Sequence, residues 1–138
     1  MATIEIEIFQ HGITTSETSI RGHRIVVDRP KTKGGDDRGP MGGELLLAGI
    51  GGCFMSNLLA TIRSRTATIK NIRTKVTATI AENPARISSI ELHVFADQSD
   101  VKLLEKLVSI AERGCIAVNT IRDGVKLTVK IATSDTCV

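Results

Sequence analysis

Three side chains in this sequence are the ones most able to make or break a covalent bond: Cys53, Cys115 and Cys137. A thiol reacts as its thiolate, and a free cysteine titrates near pH ~8.5, so reaction at neutral pH needs help from the surroundings. Cys53 follows Gly51 and Gly52 within an uncharged, apolar run. Two glycines inside a helix cost about 0.5–1 kcal/mol each relative to alanine. What offsets that cost is either room beside the thiol for a substrate or close approach of a neighbouring backbone; the plain alternative is a small thiol packed in a tight helix contact. Cys115 follows Gly114 at the junction of two helical patterns. There its sulfur either faces free backbone amides that lower its pKa or packs as part of an apolar stripe. Cys137, in the polar tail SDTC, reads as an exposed thiol without a role.

Other chemistries find little footing. His11, His23 and His93 are scattered, with no Cys-x-x-Cys and no His pair at ligand spacing, so no metal is expected. Gly34-Gly35 is too short to cradle phosphate. The 18 basic and 15 acidic residues, net charge +3, are spread along the chain without a run of like charge. With 2% aromatic residues there is almost nothing for bases to stack on, so a nucleic-acid partner is not expected. The N-terminus MATIEIEIF lacks the basic-then-apolar order of a signal peptide, and an odd number of distant cysteines is no secreted disulfide framework. A cytoplasmic protein is the expectation.

The elements that must position the cysteines follow from periodicity. At 138 residues the chain suits one domain, 1–138, whose core of Ile, Val, Leu and Ala would gain from burial in an oligomer. Ile4, Ile6 and Ile8 alternate with Glu5 and Glu7, predicting a strand over 3–9. A turn at His11-Gly12 and a second extended piece from Ser19 to Val27 complete a first hairpin. Residues 30–43 hold two of the three prolines and five of the twelve glycines, marking a loop or flexible connection over the surface. Leu45 to Ile62 is an eighteen-residue stretch without a charge, closed by Arg63 and Arg65. Gly49, Gly51, Gly52, Ser56, Asn57 and Thr61 dilute its apolarity, so it reads as a long buried central helix and not a membrane span. Strands at 72–80 and 87–95 form a second hairpin around Asn83-Pro84. A helix over 101–113 is capped by Asp100 and stopped by Gly114, with Leu104, Leu107, Val108 and Ala111 on one face. A short helix at 115–121 and a last strand over 125–131 follow. The order β-β-α-β-β-α-α-β, without a repeated βαβ unit, predicts an α+β domain with an antiparallel sheet.

The run GHRIVVDRPKTKGGDDRGPMGGELLLAGIGGCF and the later ERGCIAVNTIRDGVKLTVKI together resemble the two cysteine motifs of the OsmC/Ohr family of thiol proteins, in the same order over about residues 20–131. The resemblance implies an intertwined homodimer that buries the central helices at its interface and places sites between subunits. It implies a thiol-dependent peroxidase that reduces organic hydroperoxides without a cofactor, Cys53 attacking the peroxide, Cys115 resolving the sulfenic acid, and an external dithiol restoring both. In the family an arginine held by a glutamate promotes the attacking thiolate. Here the matching glutamate position is Gly43, and Glu44 stands one residue nearer Cys53. Arg21, Arg24, Arg29 and Arg38 are candidate cations, with Arg24 and Arg38 flanking the motif. Ile116 replaces the proline that commonly follows the second cysteine. These departures place the chain nearer the general OsmC-like branch. The rival expectation is a protein that binds a lipid-like or electrophilic small molecule with weak or no peroxidase activity.

Overall fold

The computed structural model describes residues 1–97, 100–133 and 136–137. Two units are each described on their own: Met1–Gly51 with Val76–Leu92, and Gly52–Lys75 with His93–Val138.

In the first unit, strand β1 (Phe9–Gln10) pairs antiparallel with β2 (Ser16–Ile20), and β2 with β3 (His23–Val27), Ile20 facing His23 and Ser16 facing Val27. The extended piece expected from Ser19 to Val27 is therefore two half-strands. Arg21 and Gly22 turn the chain between them, both at positive φ (49° and 82°). Two such residues give the twist that a tight hairpin requires. Arginine is an unusual occupant of that conformation, and the β-branched residues around it hide the turn. The strand expected over 3–9 shrinks to its last residue and one beyond. Residues 1–8 join no ladder, and Ile4, Ile6 and Ile8 are 81%, 54% and 63% exposed.

The Pro/Gly-rich segment after β3 is tied down by hydrogen bonds, contrary to a flexible connection. Asp28, buried at the end of β3, accepts the backbone amides of Arg29 (2.7 Å) and Arg38 (3.2 Å) and the hydroxyls of Thr14 and Thr15 (2.9 Å each). Its own amide donates to the Pro40 carbonyl at 3.0 Å. Gly35 and Gly39 lie so close to the Arg29 and Val26 carbonyls that an added Cβ would fall 2.0 Å and 2.4 Å from those oxygens. Only glycine fits there.

Helix α1 (Gly42–Ser64) begins in this unit and continues into the second. Glu44 accepts the Met41 amide at 2.8 Å and the Leu45 amide bonds back to the Met41 carbonyl, a capping-box arrangement that fixes the first turn. Ile50, Phe54, Leu58 and Ile62 recur every four residues and are buried. Burial all round does not occur within one chain, since Ala48, Gly49, Gly52, Ser56 and Leu59 remain exposed. Gly51 answers the question its type raised. An added Cβ would stand 2.7 Å from Val76 Cγ2, so its absence lets helix and strand approach closely. Gly52 has open space beside it.

Strands β4 (Lys70–Ala81) and β5 (Arg86–Asp97) pair in a two-stranded sheet through a short turn, longer at both ends than the periodicity predicts. In the second unit, Asp100 caps α2 (Val101–Arg113) by accepting the Leu103 amide at 3.0 Å, and Gly114 ends it. Leu107 (0% exposed) and Ala111 (1%) form its buried stripe. Helix α3 (Ile116–Asp123) follows after two residues, Gly114 and Cys115. Truncating a wholly buried leucine such as Leu58 or Leu107 to alanine costs about 2–5 kcal/mol. The last strand expected over 125–131 does not form: those residues join no ladder, and Val125, Leu127, Val129 and Ile131 are exposed. A two-residue pair, β6 (Ala132–Thr133) with β7 (Thr136–Cys137), comes after them.

Burial alone would raise the pKa of Asp28, but the two amides and two hydroxyls outweigh it and hold the carboxyl at about 2. A group depressed in the folded state contributes stability above its unfolded pKa, near ~3.9, and loses that contribution as pH falls through its folded value. Asp28→Asn is expected to lower Tm by more than about 4 °C at neutral pH. It should also flatten the fall in Tm between pH ~4 and ~2. Thermal melts by circular dichroism at a series of pH values read both effects.

Candidate active site

Helix α1 and the α2–α3 junction each carry one cysteine of the second unit. Both are free thiols; Cys53 is half-buried and Cys115 is 0% exposed. The Cys53 side chain is near enough to Cys115 to act on its titration. Cys115 lies where the chain leaves α2 at Gly114 and enters α3 at Ile116, and like Leu107 and Ala111 of α2 it is buried.

Cys115 is the N-cap residue of α3, and the Val118 and Ala117 amides at the helix start favour its thiolate. That much matches the expectation from sequence. Burial acts the other way and prevails, pushing the thiol above the ordinary cysteine range, and the adjacent Cys53 pushes in the same direction. Of the two readings of Cys115, the buried one prevails, because desolvation of its thiolate exceeds what the two amides return.

The remaining predicted site residues lie in the first unit, where each has a structural partner. Arg24 forms an ion pair with Glu17 through Nε and Nη2, the second contact at 3.1 Å. The hydrogen bond from Arg24 holds the Glu17 carboxyl below the usual range. Arg38 donates from Nη1 to the His11 carbonyl at 3.3 Å. Glu44 caps α1. Gly43 has open space around its Cα. The assignment of Arg24, Arg38 and Glu44 to thiol activation thus rests on the family resemblance alone. The side chain of Cys137 lies outside the described residues. Among those described, no group of three His, Cys, Asp or Glu is placed to hold a metal ion.

One residue that sequence reading passed over as a mere dilution of apolarity is Asn57. Its Nδ2 donates to the Cys53 carbonyl at 3.0 Å and stands 4.0 Å from Cys53 Sγ. The available signal was its spacing, four residues after the cysteine on a predicted helix.

These features define an α+β protein whose second unit holds two free thiols, Cys53 and Cys115. The family model described as OsmC-like protein matches residues 34–130, a span that holds both cysteines, and the chain belongs to that family. Solved structures share the fold at low identity. An OsmC-like protein from Mycoplasma pneumoniae is 20% identical, with 88% of each chain covered and a TM-score of 0.73. A hypothetical protein from Aquifex aeolicus VF5 is 19% identical, covering 91% of this chain and 92% of its own, with a TM-score of 0.75. An organic hydroperoxide resistance protein from Elizabethkingia anophelis is 21% identical, covering 91% and 93%, with a TM-score of 0.68. No curated protein matches the chain.

The difference in burial makes the two thiols unequal toward a small electrophile. Iodoacetamide added to the reduced native protein is expected to label Cys53 at least about tenfold faster than Cys115. Peptide mass spectrometry of timed samples reads the ratio, and equal rates would contradict the burial of Cys115.

Proposed function

We propose that this chain is a cysteine-based organic hydroperoxide reductase acting as a homodimer. The observation that carries the reading is the proximity of a half-buried thiol, Cys53, to a fully buried one, Cys115, close enough to act on its titration. Neighbours named as organic hydroperoxide resistance proteins support the choice of substrate class.

In this reading the Cys53 thiolate attacks one oxygen of the hydroperoxide. The O–O bond breaks, the departing alkoxide takes a proton and leaves as an alcohol, and the sulfur keeps one oxygen as a sulfenic acid. The Cys115 sulfur then gives up its proton and attacks the Cys53 sulfur. The S–O bond breaks, hydroxide leaves as water, and a disulfide remains. An external dithiol attacks that disulfide and, by exchange, returns both thiols while itself becoming oxidised. The protonated, buried state of Cys115 suits the resolving role, because it keeps the second thiol from meeting peroxide first.

The dimer is supported by three exposed apolar features. They are the Ile4–Ile6–Ile8 alternation, the Val125–Leu127–Val129–Ile131 alternation and the uncovered side of α1. An alternation of period two describes a strand with one face to bury, and a second copy of the chain supplies cover for both segments. Sedimentation of the reduced protein is expected at twice the chain mass of 14.8 kDa; a monomer at micromolar concentration would overturn this part.

The rival reading, a small-molecule binder with weak or no peroxidase activity, is favoured by Gly43 and by the engagement of Arg24 with Glu17. Stopped-flow consumption of cumene hydroperoxide by the reduced protein separates the two. The proposal expects turnover with a Cys53–Cys115 disulfide, loss of at least about 100-fold in rate for Cys53→Ser, and an accumulating sulfenic acid in Cys115→Ser. No consumption, with both thiols still free, moves the conclusion to the binder.

A further inference from the structure

Side chains on an α-helix lean toward its N-terminus, so the residue four positions after Cys53 reaches back over it. Asn57 is that residue, and it is half-buried. Its Nδ2 group serves two acceptors, the Cys53 carbonyl at 3.0 Å and Cys53 Sγ at 4.0 Å. The other end of the amide faces the α2–α3 junction: Oδ1 lies 3.7 Å from the place where a Cβ on Gly114 would sit, immediately before Cys115. Asn57 therefore touches one cysteine and the backbone neighbour of the other. Ser56 and Thr61 also bond to carbonyls four residues back, at 3.0 Å and 2.8 Å, so returning a hydrogen bond to the helix is common here. What separates Asn57 is the second contact, to sulfur. Asparagine is a poor helix former, and an apolar residue at the same place would suit the helix better.

We infer that Asn57 is the hydrogen-bond donor that positions the Cys53 sulfur toward Cys115 and stabilises it as the thiolate. The inference rests on the reading of Cys53 as the attacking thiol. A neutral thiol is a weak acceptor, which suits a contact as long as 4.0 Å. The same N–H binds an anionic sulfur more strongly, since hydrogen bonds to charged acceptors are shorter and about twice as strong as neutral ones. The titratable group facing Cys53 is Cys115, from the α2–α3 junction, and in its protonated state it adds no charge to compete with the amide.

The test is the rate of iodoacetamide alkylation at Cys53 against pH, located by peptide mass spectrometry. It compares wild type with Asn57→Leu, which keeps the size and loses the donor, Asn57→Asp, which keeps the shape and replaces the donor by an anion, and Asn57→Gln. At neutral pH the Leu variant should alkylate about tenfold more slowly, its pH profile moved up by about one unit. The Asp variant should be slower still, and the Gln variant should recover part of the rate. Thermal melts identify any variant that fails to fold, and the Asp variant decides alone if the Leu variant does not. Leu and Asp variants that fold and alkylate along the wild-type profile would overturn the inference. Alkylation needs no peroxide, so the two readings fail separately. An Asn57-dependent profile in a protein that consumes no hydroperoxide removes the peroxidase and leaves Asn57 as the donor; an active peroxidase with an Asn57-independent profile does the reverse.

Discussion

Proximity of the Cys53 and Cys115 side chains constrains everything around it, because two residues far apart in sequence must come near each other while one stays half-buried and the other wholly buried. The helix α1 face that carries Phe54, Leu58 and Ile62 fixes the first sulfur, since rotating the helix would bring those three buried residues into water. The two-residue link between α2 and α3, Gly114-Cys115, fixes the second. Any longer link would let Cys115 swing outward, and the desolvation that keeps its proton on would be lost. The inequality of the thiols is thus a consequence of helix packing more than of neighbouring charge.

Glycine does a different job at each of the two positions before Cys53. Gly51 lets α1 come down onto Val76, while Gly52 faces open space. The pair therefore sets both the depth of the helix and the clearance next to the thiol, and a single Gly-to-Ala change at either place would test a different property. Asn57, one turn later, supplies a polar group beside Cys53 in an uncharged stretch where a charge would cost far more to bury.

Much of this was legible before any coordinates. The 3.6-residue pattern, the Asp100 cap and the Gly114 stop placed α2 at its observed bounds, and the cysteine motifs pointed to the family whose model spans both of them. The long helix was clear from its lack of charge, though its ends were not, because Glu44 caps it from within the first turn. What escaped were features that depend on partners distant in sequence. Alternation over 3–9 and 125–131 says that one face wants cover and nothing about where the cover comes from, so both segments read as strands although, among the described residues, 3–8 and 125–131 join no ladder. The turn at Arg21-Gly22 was hidden by β-branched neighbours. Nothing near it in sequence marks Asp28 as a buried anchor, since two of its four donors come from positions 14 and 15 and a third from position 38. The direction of the Cys115 shift needed burial, which no spacing reveals.

The Asp28 knot also bears on how the segment between Arg29 and Arg38 moves. Both ends of that segment give an amide to the same carboxylate, and the Asp37 amide bonds to the Arg29 carbonyl at 3.0 Å as well. Releasing one end strips a shared anion of part of its solvation and weakens its hold on the other. The segment therefore has little reason to fray residue by residue. It should open as one cooperative piece, giving the amides of Arg29, Asp37 and Arg38 a common protection against solvent exchange although none belongs to a helix or a strand.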